Sequence, residues 1–294
     1  MNTVAIGNFV WNEDSPPILI AGPCVIEDAD ETLRLADAIR SLPIVERFHF
    51  IFKASYCKDN RSSADSYRGP GLDKGLAILD KIKNRLGCPV LSDVHGLDDI
   101  PSACEVLDVV QIPAFLSRQT SLLEAAAGNA RAINVKKGQF LAPEDMSLVT
   151  GKINKAGGRN ILLTERGTVF GYHDLVVDFR SFPKLQAIGY PVIFDITHSL
   201  QKPGGLGSSS GGEPEYAEIL ARAGAAVPCD GFFFETHFEP ARALSDSTTM
   251  IPFASLEAML HGVYRMHSLA KEIQRSKGIG LKRTMEGRHE GKVD

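Results

Sequence analysis

Val109-Val110-Gln111-Ile112, then an amphipathic stretch over residues 121–127, then Ala132-Ile133-Asn134-Val135: two short apolar runs flank a helical pattern. Runs that are apolar almost throughout are strands buried on both faces, as in parallel sheets. The same alternation extends in both directions. Before it come Ile18-Leu19-Ile20-Ala21 with a helix over 31–39, Phe50-Ile51-Phe52 with 72–86, and Pro89-Val90-Leu91 with 100–107. After it, the run at Ala132 is followed by a helix over 144–153. Then come Ile161-Leu162-Leu163 with 179–187, Val192-Ile193-Phe194 with 216–223, and Gly231-Phe232-Phe233-Phe234 with 255–273. Eight strand–helix pairs imply a parallel sheet with crossover helices. In a chain of 294 residues they fit an α/β fold, the (β/α)8 TIM barrel, typically about 250 residues long. An open doubly wound sheet fits less well, because no Gly-x-Gly-x-x-Gly follows the first strand. Residues 1–16 form a short N-terminal extension, with a small hairpin expected around Asn12-Glu13-Asp14-Ser15-Pro16. Residues 1–276 make one barrel domain. Residues 277–294, polar, glycine-rich and charged in both signs, read as a mobile tail.

Composition narrows the function. The chain is 44% hydrophobic and 23% charged, as in ordinary globular proteins. Its net charge of -4 provides no global basic field for nucleic acid or a membrane surface. An anionic ligand must therefore be held by local clusters. Five cysteines are too few for a disulfide framework, and the odd count favours free thiols in a reducing compartment or a metal ligand. The start of the chain lacks a basic segment followed by a long apolar one, and no run approaches the about 18 apolar residues of a membrane span. A cytoplasmic protein is expected.

Barrel active sites lie at the carboxyl ends of the strands. Those ends carry Cys24, Lys53, Asp93 with His95, Gln111, Lys136, Arg166, His198 and Glu235. The second strand also delivers a polar loop, Lys58-Asp59-Asn60-Arg61-Ser62-Ser63. Lys53, Lys58, Arg61, Arg118, Lys136 and Arg166 would repel one another unless multiply charged anions filled the face. They imply two phosphates and a carboxylate. Cys24, His198, Glu235 and Asp246 offer a thiolate, an imidazole and two carboxylates, a ligand set for a borderline divalent cation. No local spacing announces it, so a buried thiol and a hydrogen-bonded core histidine remain the alternative. Residues 201–212, rich in glycine and serine, read as a lid after the seventh strand. Cys57, Cys88, Cys104 and Cys229 read as structural, with Cys88 and Cys104 in the core. His237 is a partner of the site or a packing residue.

The loop at Lys58 and the segment Tyr67-Arg68-Gly69-Pro70-Gly71 behind it resemble the signature of the 3-deoxy-D-manno-octulosonate 8-phosphate (KDO8P) synthases, also called 2-dehydro-3-deoxyphosphooctonate aldolases. The resemblance continues through Gln111-Ile112-Pro113-Ala114-Phe115-Leu116-Ser117-Arg118-Gln119-Thr120, Ile133-Asn134-Val135-Lys136-Lys137 and Phe194-Asp195-Ile196-Thr197-His198-Ser199-Leu200. It covers roughly residues 16 to 270. The usual loop is K-A-N-R-S-S, so Asp59 departs from it. So do Cys57, where Asp is common, and Phe238, where Pro is usual.

The resemblance implies a (β/α)8 barrel and a transferase in the route to lipopolysaccharide KDO. Phosphoenolpyruvate would condense with D-arabinose 5-phosphate, releasing inorganic phosphate. By the same resemblance Lys53, Lys136 and Arg166 hold phosphoenolpyruvate. Lys58 and Asn60 face the sugar, Arg61 and Ser62 clamp its phosphate, and Asp93 and Gln111 line the floor. Arg118 joins the phosphate contacts, across a subunit boundary in a homotetramer. The catalytic set is Lys136, Asp93, His198 and Asp246, with the general acid open between Lys136 and a metal-bound water. Metal-dependent members carry Cys where Ile20-Ala21-Gly22-Pro23-Cys24 ends, and the others carry Asn. The implied metal ligands are Cys24, His198, Glu235 and Asp246, for Mn, Fe, Zn or Co. Three rivals stand beside this reading. They are the sister enzyme using erythrose 4-phosphate to make 3-deoxy-D-arabino-heptulosonate 7-phosphate, a sialic acid synthase-like enzyme, and a non-catalytic sensor of phosphorylated ligands.

Overall fold

Each of the apolar runs forms a strand, and the strands close into a barrel. In chain order they are β1 (Ile18–Gly22), β2 (His49–Lys53), β3 (Val90–Asp93), β4 (Val109–Ile112), β5 (Ile133–Lys136), β6 (Ile161–Glu165), β7 (Val192–Asp195) and β8 (Gly231–His237). Every neighbouring pair is parallel, and β8 closes on β1, from Gly231 opposite Ile18 to Glu235 opposite Gly22. The structure, a computed structural model, describes residues 1–59, 66–203, 211–227 and 229–276.

Outside the barrel lie α1 (Ala29–Arg40), α2 (Leu72–Leu86), α3 (Ile100–Val106), α4 (Thr120–Asn129), α5 (Met146–Lys155), α6 (Ser181–Gln186), α7 (Ala217–Ala226) and α8 (Phe253–Ser276). Local chemistry sets their ends. The Asp28 carboxylate accepts from the N–H groups of Asp30 and Glu31, both at 2.9 Å, and caps α1. Gly87, at φ 60°, ends α2 in the left-handed conformation that glycine adopts without strain.

The strands separate two apolar layers. Leu19, Phe50, Phe52, Val110, Val135, Leu163 and Phe194 pack outward against the helices. Ile18, Ile20, Ile51, Leu91, Val109, Leu162, Ile193 and Phe233 fill the barrel interior. Burial on both faces is why the runs show no polar alternation. Val4, Ile6 and Trp11 join the interior layer from an antiparallel hairpin of Val4–Ile6 with Phe9–Trp11. This hairpin plugs the end of the barrel opposite the strand carboxyl ends. It turns at Gly7-Asn8, with Gly7 at φ 52°, and not around Asn12 to Pro16 as expected. The later segment makes only a turn, from Ser15 N–H to Asn12 carbonyl at 3.0 Å.

Other differences lie in the connections. Helix α6 is shorter than the 179–187 expected. Asp178 accepts from Arg180 N–H through its carboxylate and from Ser181 N–H through its carbonyl, a turn that starts the helix at Ser181. A small hairpin of Thr168–Val169 with Leu175–Val176 lies in the loop before it. In the segment read as a lid, Gln201–Lys202 pairs with Gly211–Gly212, and residues 204–210 lie outside the described residues. So do Asn60, Arg61 and Ser62 of the sugar loop, and the tail 277–294. All five cysteines are free, and Cys104 is only partly buried.

Candidate active site

The carboxyl ends of the strands converge on a buried, heavily charged floor. Gly22 makes the closest approach. A Cβ on it would sit 1.9 Å from the Lys53 carbonyl oxygen, so only glycine lets β1 turn there. The chain then presents two carbonyls to the Lys53 ammonium, Pro23 at 3.1 Å and Cys24 at 2.7 Å. The third proton of Lys53 goes to Glu235 Oε1. Lys53 and Glu235 are both buried.

Glu235 Oε2, also buried, has no hydrogen-bond partner. It faces His198 Nε2 at 3.5 Å, and the same nitrogen lies 3.8 Å from Asp246 Oδ2. The Cys24 thiol donates to Asp246 Oδ2 at 3.0 Å and contacts Ser245 Oγ at 2.7 Å. Ligand atoms of Cys24, Glu235 and Asp246 lie within 4.8 Å of one another. Asp246 adopts φ 49°. Its carbonyl accepts from Thr249 and Met250 N–H at 3.0 and 3.2 Å, which holds a turn that aims the carboxylate inward. Burial, with the charges of Asp246 and Glu235, pushes the Cys24 thiol well up. Burial alone would raise Asp246 too, but hydrogen bonding and charge from His198 hold it below the usual range. A thiol facing two ionised carboxylates, one with an orphaned oxygen, is a donor set suited to a divalent cation.

Sequence reasoning missed Asp195. Its Oδ2 accepts from Lys136 Nζ and lies 2.8 Å from His198 Nδ1. Its Oδ1 accepts from the backbone N–H of His198 at 3.0 Å. One carboxylate thus orients both the lysine and the imidazole. Burial would lower the His198 pKa, but Asp195 and then Glu235 raise it. Burial lowers the Lys136 pKa despite Asp195. The Lys136 ammonium also lies 3.5 Å from the centroid of the Phe233 ring. The signal was available, since Asp195 is the true last residue of β7 and His198 lies beyond it.

Arg166 completes this side. Its Nη2 donates to the His198 carbonyl at 2.9 Å and to Gln201 Oε1 at 2.7 Å, while its buried Nε has no partner.

A polar ladder crosses the floor. Thr164 Oγ1 donates to Asn134 Oδ1 at 2.7 Å, and Asn134 Nδ2 to Gln111 Oε1 at 2.8 Å. Gln111 Nε2 donates to Asp93 Oδ1. Asp93 Oδ2 accepts from Ser55 Oγ at 2.7 Å and Lys58 Nζ at 2.9 Å. Each amide orientation is set by its neighbour. Burial alone would raise the Asp93 carboxyl, but Lys58 and then Lys53 hold it well below its ordinary value. Asn134, Thr164 and Ser55 were not among the residues read from sequence.

Of the residues read from sequence, Cys24, Lys53, Lys58, Asp93, Gln111, Lys136, Arg166, His198, Glu235 and Asp246 thus come together. Arg118 does not; it is exposed. His95 binds the Cys57 carbonyl at 3.0 Å, and His237 Nδ1 accepts from Glu239 N–H in its own loop at 3.0 Å. Asp59 pairs with Arg68.

Residues 3–272 match the DAHP synthetase I family. The chain belongs to that family. Among its relatives is the 2-dehydro-3-deoxyphosphooctonate aldolase of Desulfatibacillum aliphaticivorans, 54% identical over 88% of this chain and 95% of the relative. The protein of the same name from Geotalea daltonii is 52% identical over 91% of this chain and 98% of the relative. One from Geotalea uraniireducens is 51% identical over the same shares. Membership in the DAHP synthetase I family is compatible with a divalent metal, and Cys24, Glu235 and Asp246 are where this chain could hold one. Among the described residues no helix is long and apolar enough to cross a membrane.

Proposed function

We propose that the chain condenses phosphoenolpyruvate with D-arabinose 5-phosphate to give 3-deoxy-D-manno-octulosonate 8-phosphate and inorganic phosphate. The observation that carries this is the aldolase name shared by relatives matched over nearly their whole length. The site agrees with it, since buried Lys136, Arg166, Lys53 and Lys58 gather at one barrel mouth. The family description names a heptulosonate-forming enzyme, whereas these relatives carry the octulosonate name, and that favours the five-carbon sugar.

In the reaction C3 of phosphoenolpyruvate attacks the sugar aldehyde carbon, and the aldehyde oxygen takes up a proton. Water adds at C2, and the bond between C2 and the phosphate oxygen breaks. Lys136 and Arg166 bind the phosphate and carboxylate of phosphoenolpyruvate, the orphaned Nε of Arg166 supplying a free donor. Lys53, with its protons on protein acceptors, adds positive potential behind them. Lys136, acidified by burial, holds a proton at Nζ for the departing phosphate. Lys58, fixed on Asp93, hydrogen-bonds the sugar. Asn60, Arg61 and Ser62 extend that contact to the sugar phosphate by resemblance.

Cys24, Glu235, Asp246 and His198 would hold a divalent metal (Mn, Fe, Zn or Co), which supplies Lewis acidity for the aldehyde or the water. The protein acts in the cytoplasm as a homotetramer, with Arg118 reaching a neighbouring site.

The test is phosphate release from phosphoenolpyruvate with arabinose 5-phosphate or erythrose 4-phosphate, before and after chelation and metal add-back. Turnover with the five-carbon sugar, lost on chelation and restored by metal, is expected. Turnover only with erythrose 4-phosphate would overturn the sugar assignment, and silence with both would favour a sensor.

A further inference from the structure

Beside Lys136 and Arg166 lies a second ion pair that the proposed reaction does not use. Lys137 and Glu165 are 0% and 1% exposed. Lys137 Nζ lies 3.5 Å from Glu165 Oε1 and donates to Thr168 Oγ1 at 3.0 Å. It also reaches the carbonyls of Gly138 and Leu141 at 3.4 Å and of Gly167 at 3.5 Å. One buried cation therefore joins the loop after β5 to the loop after β6. Glu165 Oε1 in turn accepts from Gly167 N–H at 2.8 Å. That bond closes a tight turn with Arg166 at its apex and Gly167 at φ 88°.

Desolvating such a pair is costly, and apolar replacements of both partners are often neutral or stabilising. Stability alone is thus a weak reason for it, and geometry is a stronger one. Lys137 follows Lys136, and Glu165 precedes Arg166. The two strands that carry them are in register, Lys136 opposite Thr164.

We propose that Lys137 and Glu165 are positioning residues that set the separation of Lys136 and Arg166, and so the fit of the site to the two charged ends of phosphoenolpyruvate. The inference rests on the reading that those two cations bind that substrate.

The experiment compares KM for each substrate and the melting temperature in three proteins: the wild type, Lys137→Met/Glu165→Gln, and Glu165→Asp. The double variant removes both charges and keeps an acceptor for Gly167. Glu165→Asp keeps the charge but shortens its reach. Both are expected to fold and to raise the KM for phosphoenolpyruvate about tenfold, leaving the KM for arabinose 5-phosphate within about twofold. Folded variants with a wild-type KM for phosphoenolpyruvate would overturn the proposal. So would an equal rise in both KM values, or failure of both variants to fold. A wild type silent with these substrates is a failure of the functional reading instead. Calorimetric titration of phosphoenolpyruvate onto the three proteins then decides the positioning claim, and equal affinities would reject it.

Discussion

Asp195 shows what a single carboxylate does in a site crowded with charge. It is completely buried, and burial alone would raise its pKa. The charges of His198 and Lys136 hold it far below its ordinary value instead. Asp195→Asn keeps the shape but removes the charge that orients Lys136 Nζ and His198 Nδ1. In single-turnover assays we expect the rate to fall about 100-fold, with a melting temperature near that of the wild type. Cys24→Ala tests the opposite edge of the floor. It should lose bound metal, measured by elemental analysis, together with activity, and full activity in a metal-free Cys24→Ala protein would sink the metal reading. Cys24, His198 and Glu235 were legible as candidates because strand ends carry chemistry, while Asp246 lies in the loop after β8 and the set as a whole leaned on the resemblance. Asp195 carried the same signal, directly after Val192-Ile193-Phe194, but strand limits are uncertain by two residues or more from sequence and His198 is the more conspicuous ligand. The ladder from Thr164 to Lys58 was equally hidden. Asn134 and Thr164 read as ordinary strand residues until five neighbouring strands are brought together.

At the scale of elements, the unbroken apolar runs located all eight barrel strands, since burial on both faces leaves no other pattern. The N-terminal plug escaped. Its strands are three residues each, too short for periodicity, and the Gly7-Asn8 turn that marks it was outweighed by the more polar segment from Asn12. Trp11 is 1% exposed in the barrel interior. Trp11→Ala is expected to cost about 4 kcal/mol, read from the denaturant midpoint. Helix α8 carries a different liability. His267 is buried against Cys229, donating to its carbonyl at 3.0 Å, and packs edge-on to Phe232. Burial, helped by Lys271, lowers its pKa from 6.5 to about 4. Between those values the unfolded chain takes up a proton that the folded chain refuses, so stability falls as pH drops through this window. The loss is about 3 kcal/mol at the acid end. His267→Gln keeps the donor and does not titrate. Denaturation at pH 7 and at pH 4.5 should show a smaller acid loss in the variant than in the wild type. Equal losses would assign the acid sensitivity to other groups.

The whole molecule has an exposed aromatic surface that its own fold does not explain. Phe115, Phe140, Phe170 and Tyr172 are 55%, 55%, 71% and 98% exposed, on the loops after β4, β5 and β6. These loops adjoin. Val169 N–H donates to the Gln139 carbonyl at 3.0 Å, and a Cβ on Gly138 would meet both the Phe140 ring and Ser117 Oγ within 3.0 Å. Large exposed aromatics on adjoining loops fit a subunit interface, where such residues are enriched. The exposed Arg118 stands on the first of the same loops. Both features are accounted for if the copies of a tetramer meet through these loops and each lends Arg118 to a neighbour. None of this was legible in the sequence beyond the resemblance, because apolar residues in loops give no periodic signal. Phe140→Glu combined with Tyr172→Glu places charge on this proposed interface. If copies of the chain do meet there, sedimentation should move from the proposed tetramer toward the 31.9 kDa chain. If Arg118 serves the neighbour, dissociation raises the KM for arabinose 5-phosphate about tenfold and leaves that for phosphoenolpyruvate nearly unchanged. On the proposed reading the sugar phosphate is held at the rim and phosphoenolpyruvate on the subunit's own floor. A dissociated variant with the wild-type KM for both substrates would show that each barrel is complete without its neighbour.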